Sequence, residues 1–592
     1  MLVKLSLSGA KKHLADYLVL FSGLMIASGI FYMFQSISSN KAFLESNAPI
    51  SMVFIIFQLG AVLLGIITIV YLFYANSFLM SMRQRDYALF MMLGAKQNKI
   101  AQLIFIETVS VGVIATLLGS LVGVFLTHIV SKLLINQLDI EVIGFNPWSG
   151  KAFLITFLFF ALLFLLSATL NASTIVKKPI LELLNANKTP NQTQQKPIFM
   201  LLETTLGLIS LAIGYYMMAH LQKFSILGIV IALITIVLGS YLIFHSILIL
   251  LLNIIRQSNK ICFKNLNNFT LSQLSFRIQE YTRLLSMVSI IFALALGALT
   301  VGIGFRNEID KLTEQTTTYD LILNNAQAIN QKEVDALSPT LNVTYHVKES
   351  ADKIYFNKEE FNQEPLLVNE ELKKKVTYTG DQLAEDVNKA DHLWSLLYPE
   401  QATKEIKIIN SSQFMALNEN ESLLQVIQVK DFLTSKNKIK SLVNENKQNT
   451  TSSTSAFSQK FDVYTTFNQM FSGLEFMGFF LGLAFLAMLA SCLMFKILSG
   501  APADVIRYDM LTKIGARKKL LQASIKKEIA VLFLAPGLLG MIHVLFGLQM
   551  FKGLLTEPYA GIWLPFTLFF VLYFIYYLVT VWLYTGIVLK EK

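Results

Sequence analysis

The sequence contains the stretch RDYALFMMLGAK at residues 85–96 and a second copy of its pattern, IRYDMLTKIGAR, at residues 506–517. In one common register the copies share an aromatic residue, a glycine-alanine pair and a base, namely Tyr87/Tyr508, Gly94/Gly515, Ala95/Ala516 and Lys96/Arg517. The same register places Glu107 opposite Glu528, each where a polar stretch gives way to an apolar run. Two equivalent helices on one chain predict two equivalent soluble partners.

Long apolar runs surround both copies. The chain has 592 residues, of which 54% are hydrophobic and 15% charged, and its mean hydropathy is +0.54. Globular proteins carry about 25% charged residues, and a membrane-spanning helix needs roughly 20 apolar residues. Suitable runs lie at 17–38, 51–76, 106–131, 152–172, 199–219, 225–252, 284–304, 472–496, 527–550 and 563–587. The sequence therefore predicts a polytopic α-helical membrane protein with about ten transmembrane helices.

The basic residues indicate the orientation of these helices. They are concentrated in alternate loops, such as the loops after the second and eighth runs, and in the N-terminal segment with Lys4, Lys11 and Lys12. Cytoplasmic loops carry an excess of Lys and Arg. We therefore expect both termini and both copies of the repeat on the cytoplasmic side of a cell membrane. Because the bases lie in short loops between apolar runs, the charge does not indicate nucleic-acid binding.

One long polar segment, residues 305–471, separates the seventh and eighth runs and is expected to be extracellular. Its β-branched and aromatic stretches predict a mixed α/β domain, with strands near 353–356, 375–378 and 405–408 and a helix over 305–315. The polar stretch 449–455 is expected to be flexible. Residues 306–470 hold 18 Lys and Arg against 24 Asp and Glu, a net charge of −6.

Each repeated stretch has the features of a short helix with a defined end. Tyr87, Phe90 and Leu93 are spaced by three and predict an aromatic-aliphatic stripe along one side. Gly94 follows where a helix commonly ends in a left-handed residue. A single copy could be an amphipathic helix on the inner leaflet, but two copies at equivalent positions favour contact with a partner. We also expect Glu107 and Glu528 to pair with nearby bases such as Lys99 and Lys526.

Several further stretches carry a family resemblance. Besides the two repeats, they are residues 178–184 after the fourth run, 265–274 before the seventh, 533–536 with His543 in the ninth, and the tyrosines Tyr573, Tyr576, Tyr577 and Tyr584 in the last. The repeated pattern resembles the coupling region of FtsX-like ABC transporter permeases. Ten spans with an extracellular insertion between the seventh and eighth resemble the bacitracin-resistance (Bce-type) permeases of Gram-positive bacteria.

The resemblance implies a division of the chain and a mechanism. Residues 1–304 would hold helices 1–7 with a first coupling helix near 83–96, residues 305–471 the extracellular domain, and residues 472–592 helices 8–10 with a second coupling helix near 504–517. A separate ATP-binding subunit, in two copies, would dock at the coupling helices and move them. The residues expected to couple to it are Arg83, Arg85, Asp86, Tyr87, Phe90, Gly94, Ala95, Lys96, Arg507, Tyr508, Leu511, Gly515, Ala516 and Arg517, supported by Glu107 and Glu528.

The sequence has no phosphate-binding loop of the form G-x-x-x-x-G-K-[ST] and no histidine pair with metal-ligand spacing. We therefore expect no cofactor and no enzymatic activity in this chain, with ATP and Mg²⁺ bound by the partner. The family implies resistance to peptide antibiotics that target lipid-linked cell-wall precursors, together with signalling through a membrane histidine kinase.

Two other functions stay open: a peptide sensor for a kinase without resistance activity, and an FtsX-like regulator of extracellular cell-wall hydrolases. A secondary transporter is disfavoured because few charges lie within the spans. Small-residue pairs in three spans predict close helix contacts, at Gly119/Gly123, Ala293/Gly297 and Gly478/Gly482.

Overall fold

The computed structural model describes residues 14–40, 50–138, 145–185, 197–370, 374–398, 401, 403–448 and 459–589. The N-terminal lysines and the stretch 449–455 lie outside these residues. The chain divides into two compact units. The first, the helical unit, comprises residues 1–136, 140–305 and 473–592, and the second, the inserted domain, comprises 137–139 and 306–472.

The helices up to the inserted domain follow the apolar runs of the sequence. They are α1 Leu14–Ser38, α2 Ile50–Met92, α3 Gln97–Leu138, α4 Gly150–Val176, α5 Ile180–Asn185, α6 Pro197–Ala219, α7 Leu221–Leu242, α8 Leu248–Gln257, α9 Asn259–Cys262 and α10 Asn267–Thr316, with a π-helical turn at Ile243–Ile247 between α7 and α8. Helix α2 has 43 residues, which is about 65 Å of helix against roughly 30 Å of bilayer hydrocarbon. Its last turns therefore project beyond the span.

The inserted domain is a mixed α/β unit. Its helices are α11 Gln331–Asp335, α12 Lys358–Gln363, α13 Gly380–Glu385, α14 Val387–Ala390, α15 Ser411–Ala416 and α16 Phe432–Gln448, and its strands are β1 Leu321–Leu323, β2 Pro339–Glu349, β3 Lys353–Asn357, β4 Leu366–Glu370, β5 Lys374–Tyr378, β6 Glu405–Ile409 and β7 Asn420–Val429. A five-stranded sheet has the order β1-β7-β2-β3-β6, with β3 and β6 parallel and the other pairs antiparallel, and β4 pairs with β5 separately.

The three predicted strands, β3, β5 and β6, and the helical extension of the seventh span are confirmed. Sequence reasoning missed the central pair, β2 and β7, which align over most of their length from Pro339↔Val429 to Glu349↔Asn420. Apolar side chains from both sides of the sheet form two buried clusters, one around Tyr345, Phe356 and Phe361 and one around Leu321 and Ile439.

The chain ends in three long helices, α17 Lys460–Lys513, α18 Lys518–Gly547 and α19 Trp563–Val588. Among the described residues, nine helical segments are long and apolar enough to cross a membrane, and they coincide with the second to tenth predicted spans. Helix α1 covers the first predicted span. The predicted fold class, a polytopic helical membrane protein with a mixed α/β domain in the middle of the chain, is confirmed.

Helices α2 and α17, which carry the two copies of the repeat, lie side by side in the helical unit. The Tyr71 hydroxyl of α2 and the Ser491 hydroxyl of α17 hydrogen bond at 3.0 Å, and they occupy neighbouring positions in the register of the repeat. Closer to the N-terminal ends of the same two helices, a Cβ at Gly60 of α2 would lie 2.7 Å from Met477 of α17. Equivalent helices of the two repeats therefore contact each other.

Small residues bring two pairs of helices into backbone contact. A Cβ at Gly123 of α3 would lie 2.6 Å from the Gly29 carbonyl of α1, and a Cβ at Gly478 of α17 would lie 2.5 Å from the Ala298 carbonyl of α10. The predicted close contact through Gly297 is wrong, because a Cβ at Gly297 would lie 4.0 Å from its nearest neighbour, a methyl group of Val544. Helix α10 instead contacts α17 through its own residues Ala298 and Gly302.

Candidate functional site: two repeated helix ends

Both repeated stretches end in the same tight turn. Gly94 has φ +97°, its N–H donates to the Met91 carbonyl at 3.1 Å, and the Ala95 N–H donates to the Phe90 carbonyl at 3.0 Å. This is the Schellman pattern, in which a glycine with positive φ closes the helix. Helix α3 then begins at Gln97. We call residues 83–107 the first hairpin.

The second copy repeats this geometry closely. Gly515 also has φ +97°, its N–H donates to the Thr512 carbonyl at 3.0 Å, and the Ala516 N–H donates to the Leu511 carbonyl at 3.0 Å. Helix α18 begins at Lys518, after Arg517. We call residues 504–528 the second hairpin. The sequence repeat is thus a structural repeat, in which a long helix turns sharply into the next one.

A buried ion pair joins the two helices of the first hairpin. The Arg83 guanidinium donates to the Glu107 carboxylate, and both side chains are at most 5% exposed. The Tyr87 hydroxyl donates to the second oxygen of Glu107 at 3.3 Å, and its ring lies 5.2 Å from the Arg83 guanidinium carbon. Burial raises the pKa of Tyr87 to about 12, although the Arg83 charge opposes the shift. The phenol therefore stays protonated and remains a donor to the carboxylate.

The second hairpin holds its equivalent glutamate by a different base. In the register of the repeat, Asp504 occupies the position of Arg83, so that the hairpin contributes two acids. The cation is Arg277 of α10, whose Nε lies 2.7 Å from Glu528 and whose Nη2 donates to Asp504. The Tyr584 hydroxyl of α19 accepts from Arg277 and donates to Asp504, both at 2.6 Å. Four helices, α10, α17, α18 and α19, therefore meet at one buried cluster.

The predicted partners of the two glutamates were wrong. The Lys99 ammonium donates to Gln102 at 3.3 Å on the surface, and the Lys526 side chain is exposed. Each glutamate lies deep in the protein, with Glu107 2% and Glu528 1% exposed. A buried carboxylate needs a buried base, which Arg83 and Arg277 supply and a surface lysine does not.

The predicted aromatic stripe is also divided between the core and the surface. Tyr87 and Tyr508 are buried, at 0% and 1% exposed, whereas Leu93 and its equivalent Ile514 are 85% and 83% exposed. One helical turn earlier, Leu89 and its equivalent Met510 are 41% and 52% exposed. The exposed apolar positions that the two hairpins share are therefore a pair four residues apart, which we call the tip of each hairpin; Met92 and Ile506 are also exposed, each in one hairpin alone. Sequence reasoning missed Leu89, Met510 and Ile514, although the register of the repeat aligns them.

The other candidate residues occupy matching positions in the two hairpins. Phe90 and Leu511 are half-buried, as are Ala95 and Ala516, while Gly94, Gly515, Lys96 and Arg517 are exposed. Asp86 is half-buried and Arg507 exposed, with the Arg507 guanidinium donating to Gln273 at 2.9 Å and to Asp504 at 3.0 Å. The backbone of Arg85 is helical.

Two histidines of the membrane-spanning helices bond to side chains of neighbouring helices. His543 of α18 bonds through both ring nitrogens, to the Tyr215 hydroxyl at 2.7 Å and the Ser240 hydroxyl at 2.9 Å, which fastens α18 to α6 and α7. His245, in the π-helical turn, lies 2.9 Å from the Glu203 carboxylate of α6. In the described part of the chain, no group of three or more His, Cys, Asp and Glu side chains is placed to hold a metal ion.

The sequence matches known permeases. Residues 59–180, which include the first hairpin, match the family described as FtsX-like permease C-terminal. A bacitracin export permease, BceB of Bacillus subtilis (strain 168), is 24% identical over 54% of this chain and 51% of its own length. The chain therefore spans about half the length of that relative.

Two further relatives from the same organism are similar over more of the chain. The uncharacterized ABC transporter permease YvcS is 21% identical over 98% of both chains. The ABC transporter permease protein YxdM is 23% identical over 86% of both. The family match covers most of the second predicted span, the first hairpin and the third and fourth spans. In the register of the repeat, the last three helices of the chain align with this segment.

Proposed function

We propose that this chain is an FtsX-like ABC transporter permease, the non-catalytic membrane subunit of a complex in which two copies of a separate ATP-binding subunit dock at the two hairpins. ATP and Mg²⁺ would be held by those subunits. The observation that carries this proposal is the exposed tip at each hairpin, built alike in two copies, at Leu93 and Ile514.

The chemistry of the tips suits a protein partner. Each consists of two apolar side chains at the end of a helix, followed by a sharp turn and an exposed base, Lys96 or Arg517. Exposed apolar residues beside charged ones mark protein interaction sites when they form a defined patch. The basic residues around the hairpins support a cytoplasmic position for both, where an ATP-binding subunit would have access.

The buried clusters connect the proposed docking sites to the membrane-spanning helices. Beneath each tip, a buried glutamate pairs with a buried arginine, Glu107 with Arg83 and Glu528 with Arg277, and these contacts join the two long helices of the hairpin. Breaking a buried ion pair is costly, so a hairpin held in this way moves with its helices. A force applied at the tip would therefore displace the spans, and the inserted domain, lying between two of them in the chain, would respond.

We further propose that this movement protects cells against peptide antibiotics that bind lipid-linked cell-wall precursors, and that it helps a membrane histidine kinase to sense them. The support is the similarity to a bacitracin export permease and the net charge of −6 in residues 306–470, which attracts cationic peptides. Attraction over a distance is screened within about 8 Å at physiological salt, so the charge favours encounter more than binding.

A deletion strain, tested against a panel of cell-wall-active peptides that includes bacitracin, examines this function. We expect the strain to be more sensitive to at least one peptide and the wild-type gene to restore protection. The double variant Leu93→Asp/Ile514→Asp should fail to restore it, because a charged tip cannot be buried under a partner.

The matched control is Asn98→Asp, which adds a negative charge to an exposed position of the first hairpin outside the tip. It should restore protection. Unchanged sensitivity of the deletion strain to every peptide would contradict the resistance function, and full protection by the double variant would contradict docking at the tips.

A further inference from the structure

The two hairpins differ in where their buried base comes from. In the first, Arg83 and Glu107 both belong to the hairpin, and its apolar packing uses Ala172 and Ile175 at the end of α4 and Leu183 of α5. In the second, an aspartate replaces the internal base, and Arg277 enters from α10, 227 residues before Asp504. The second hairpin is therefore completed by a helix that is remote from it in the sequence.

Helix α10 contacts the second hairpin along one continuous face. The Asn267 side chain accepts from the Lys527 ammonium at 2.9 Å, and the Thr270 and Ser524 hydroxyls bond at 2.6 Å. Phe269 meets the ring of Tyr508 edge to face, at 5.5 Å between centroids. Further along α10, Gln273 accepts from Arg507, and Arg277 reaches both acids. Polar contacts at 267, 270, 273 and 277 are spaced by three and four, as residues on one side of a helix are.

We propose, on the basis of the proposed ATPase docking, that Arg277 is a positioning residue that makes α10 a moving part of the second hairpin. Movement of the first hairpin is delivered to α2 and α3 and, through apolar packing, to α4 and α5. Movement of the second is delivered also to α10, the helix that directly precedes the inserted domain in the chain, and to α19 through Tyr584.

Moving the arginine from α10 into the hairpin separates this positioning role from neutralisation of the two buried acids. Arg277→Gln alone leaves two buried acids without their base and can fail to fold. The double variant Arg277→Gln/Asp504→Arg instead gives the second hairpin the internal arginine of the first, beside Glu528, and removes the buried ion pairs between the hairpin and α10. The fold and the tip are retained, so an ATP-binding subunit should still dock.

The readout is hydrogen exchange in the complex purified with its ATP-binding subunit, with and without ATP and vanadate. In the wild type, nucleotide should change exchange in peptides from both hairpins and from α10. In the double variant, the change in the hairpins should persist, while the change in α10 should fall to the level seen without nucleotide.

A disulfide provides the rescue. Thr270→Cys/Ser524→Cys, added to the double variant, replaces two buried hydroxyls that lie 2.6 Å apart. Oxidation should restore the nucleotide-dependent change in α10, and reduction of the same sample should abolish it again. Each single cysteine variant is the control, because it lacks the partner for this disulfide. The native cysteines, Cys262 and Cys492, are buried.

Three results would overturn the proposal. The first is an undiminished response of α10 in the reduced double variant, and the second is a lost response that the disulfide does not restore. The third is loss of the bound ATP-binding subunit from the double variant, which would make Arg277 a requirement for the docking site itself. If instead the wild-type chain binds no such subunit, the proposed function fails first, and that outcome is distinguishable because it precedes every variant.

Discussion

At the scale of single residues, each hairpin contains a glutamate that lies almost fully buried, Glu107 in the first and Glu528 in the second. Removing a carboxylate from water costs several kcal/mol, and only a well-placed base with further hydrogen bonds offsets that cost. Each glutamate has an arginine and a tyrosine close by. Each buried ion pair is therefore better suited to fixing the geometry of its hairpin than to adding stability.

The first prediction concerns the pair Arg83 and Glu107. Glu107→Gln leaves a buried guanidinium without its anion, so we expect the free energy of unfolding to fall by about 3–5 kcal/mol. The measurement is chemical unfolding of the purified permease in detergent. Arg83→Leu/Glu107→Leu is the control, because it removes both charges and should recover most of the loss. Equal stability of Glu107→Gln and the wild type would show that the pair does not hold the hairpin.

The tyrosines illustrate what sequence could predict at this scale. The repeat identified Tyr87 and Tyr508 as equivalent, and the structure places both in the same buried position. It could not separate a buried tyrosine from an exposed one, because a spacing of three is compatible with either side of the helix. Nor could it identify Arg277, since nothing in a local pattern connects residues 227 positions apart.

At the scale of secondary-structure elements, helix packing in the membrane depends on small residues, because lipid gives no hydrophobic drive for helices to associate. Helices α10 and α17 follow this rule. A Cβ at Gly302 would lie 3.0 Å from the Glu475 carbonyl, and a Cβ at Gly482 would lie 2.9 Å from the Ala295 carbonyl. The two helices that flank the inserted domain in the chain are thus in backbone contact.

The second prediction compares two glycines that the sequence treats alike. Gly478→Ala places a methyl group 2.5 Å from the Ala298 carbonyl, whereas Gly297→Ala meets only a flexible Val544 methyl at 4.0 Å. We expect Gly478→Ala to lower the melting temperature, because the helices must separate. Gly297→Ala should leave it unchanged or raise it, since alanine favours a helix by about 1 kcal/mol over glycine.

The measurement is thermal unfolding of both variants in the same detergent. Equal melting temperatures would mean that α10 and α17 can separate at no cost. The close contact would then not contribute to stability.

The elements were predicted unevenly, for physical reasons. Membrane spans are readily predicted because lipid requires an uninterrupted apolar run. Strands β3, β5 and β6 were predicted from local composition, but the central strands β2 and β7 contain polar residues such as Asn342, His346 and Gln425. Their stability comes from pairing with each other across the domain, which a local pattern does not reveal.

At the scale of the whole molecule, the chain is an approximate duplication with one systematic difference. Helices α2 and α17 meet at Tyr71 and Ser491, and each leads into a hairpin with the same glycine geometry. The duplication was predictable from the sequence, because the glycine, the tyrosine and the glutamate keep their spacing. The register also shows that Asp504 stands where the first copy has Arg83, whereas the arginine that neutralises the second hairpin, Arg277, is identified only in three dimensions.

A site-specific cross-link at the tips tests directly whether ATP-binding subunits dock there. Cysteine introduced at Leu93 or at Ile514, each highly exposed, is treated with a short bifunctional reagent in the complex purified with its ATP-binding subunit. We expect each position to cross-link one ATP-binding subunit and the double variant to cross-link two. A stable complex in which neither position forms a cross-link, while cysteine at Asn98 does, would contradict docking at the tips.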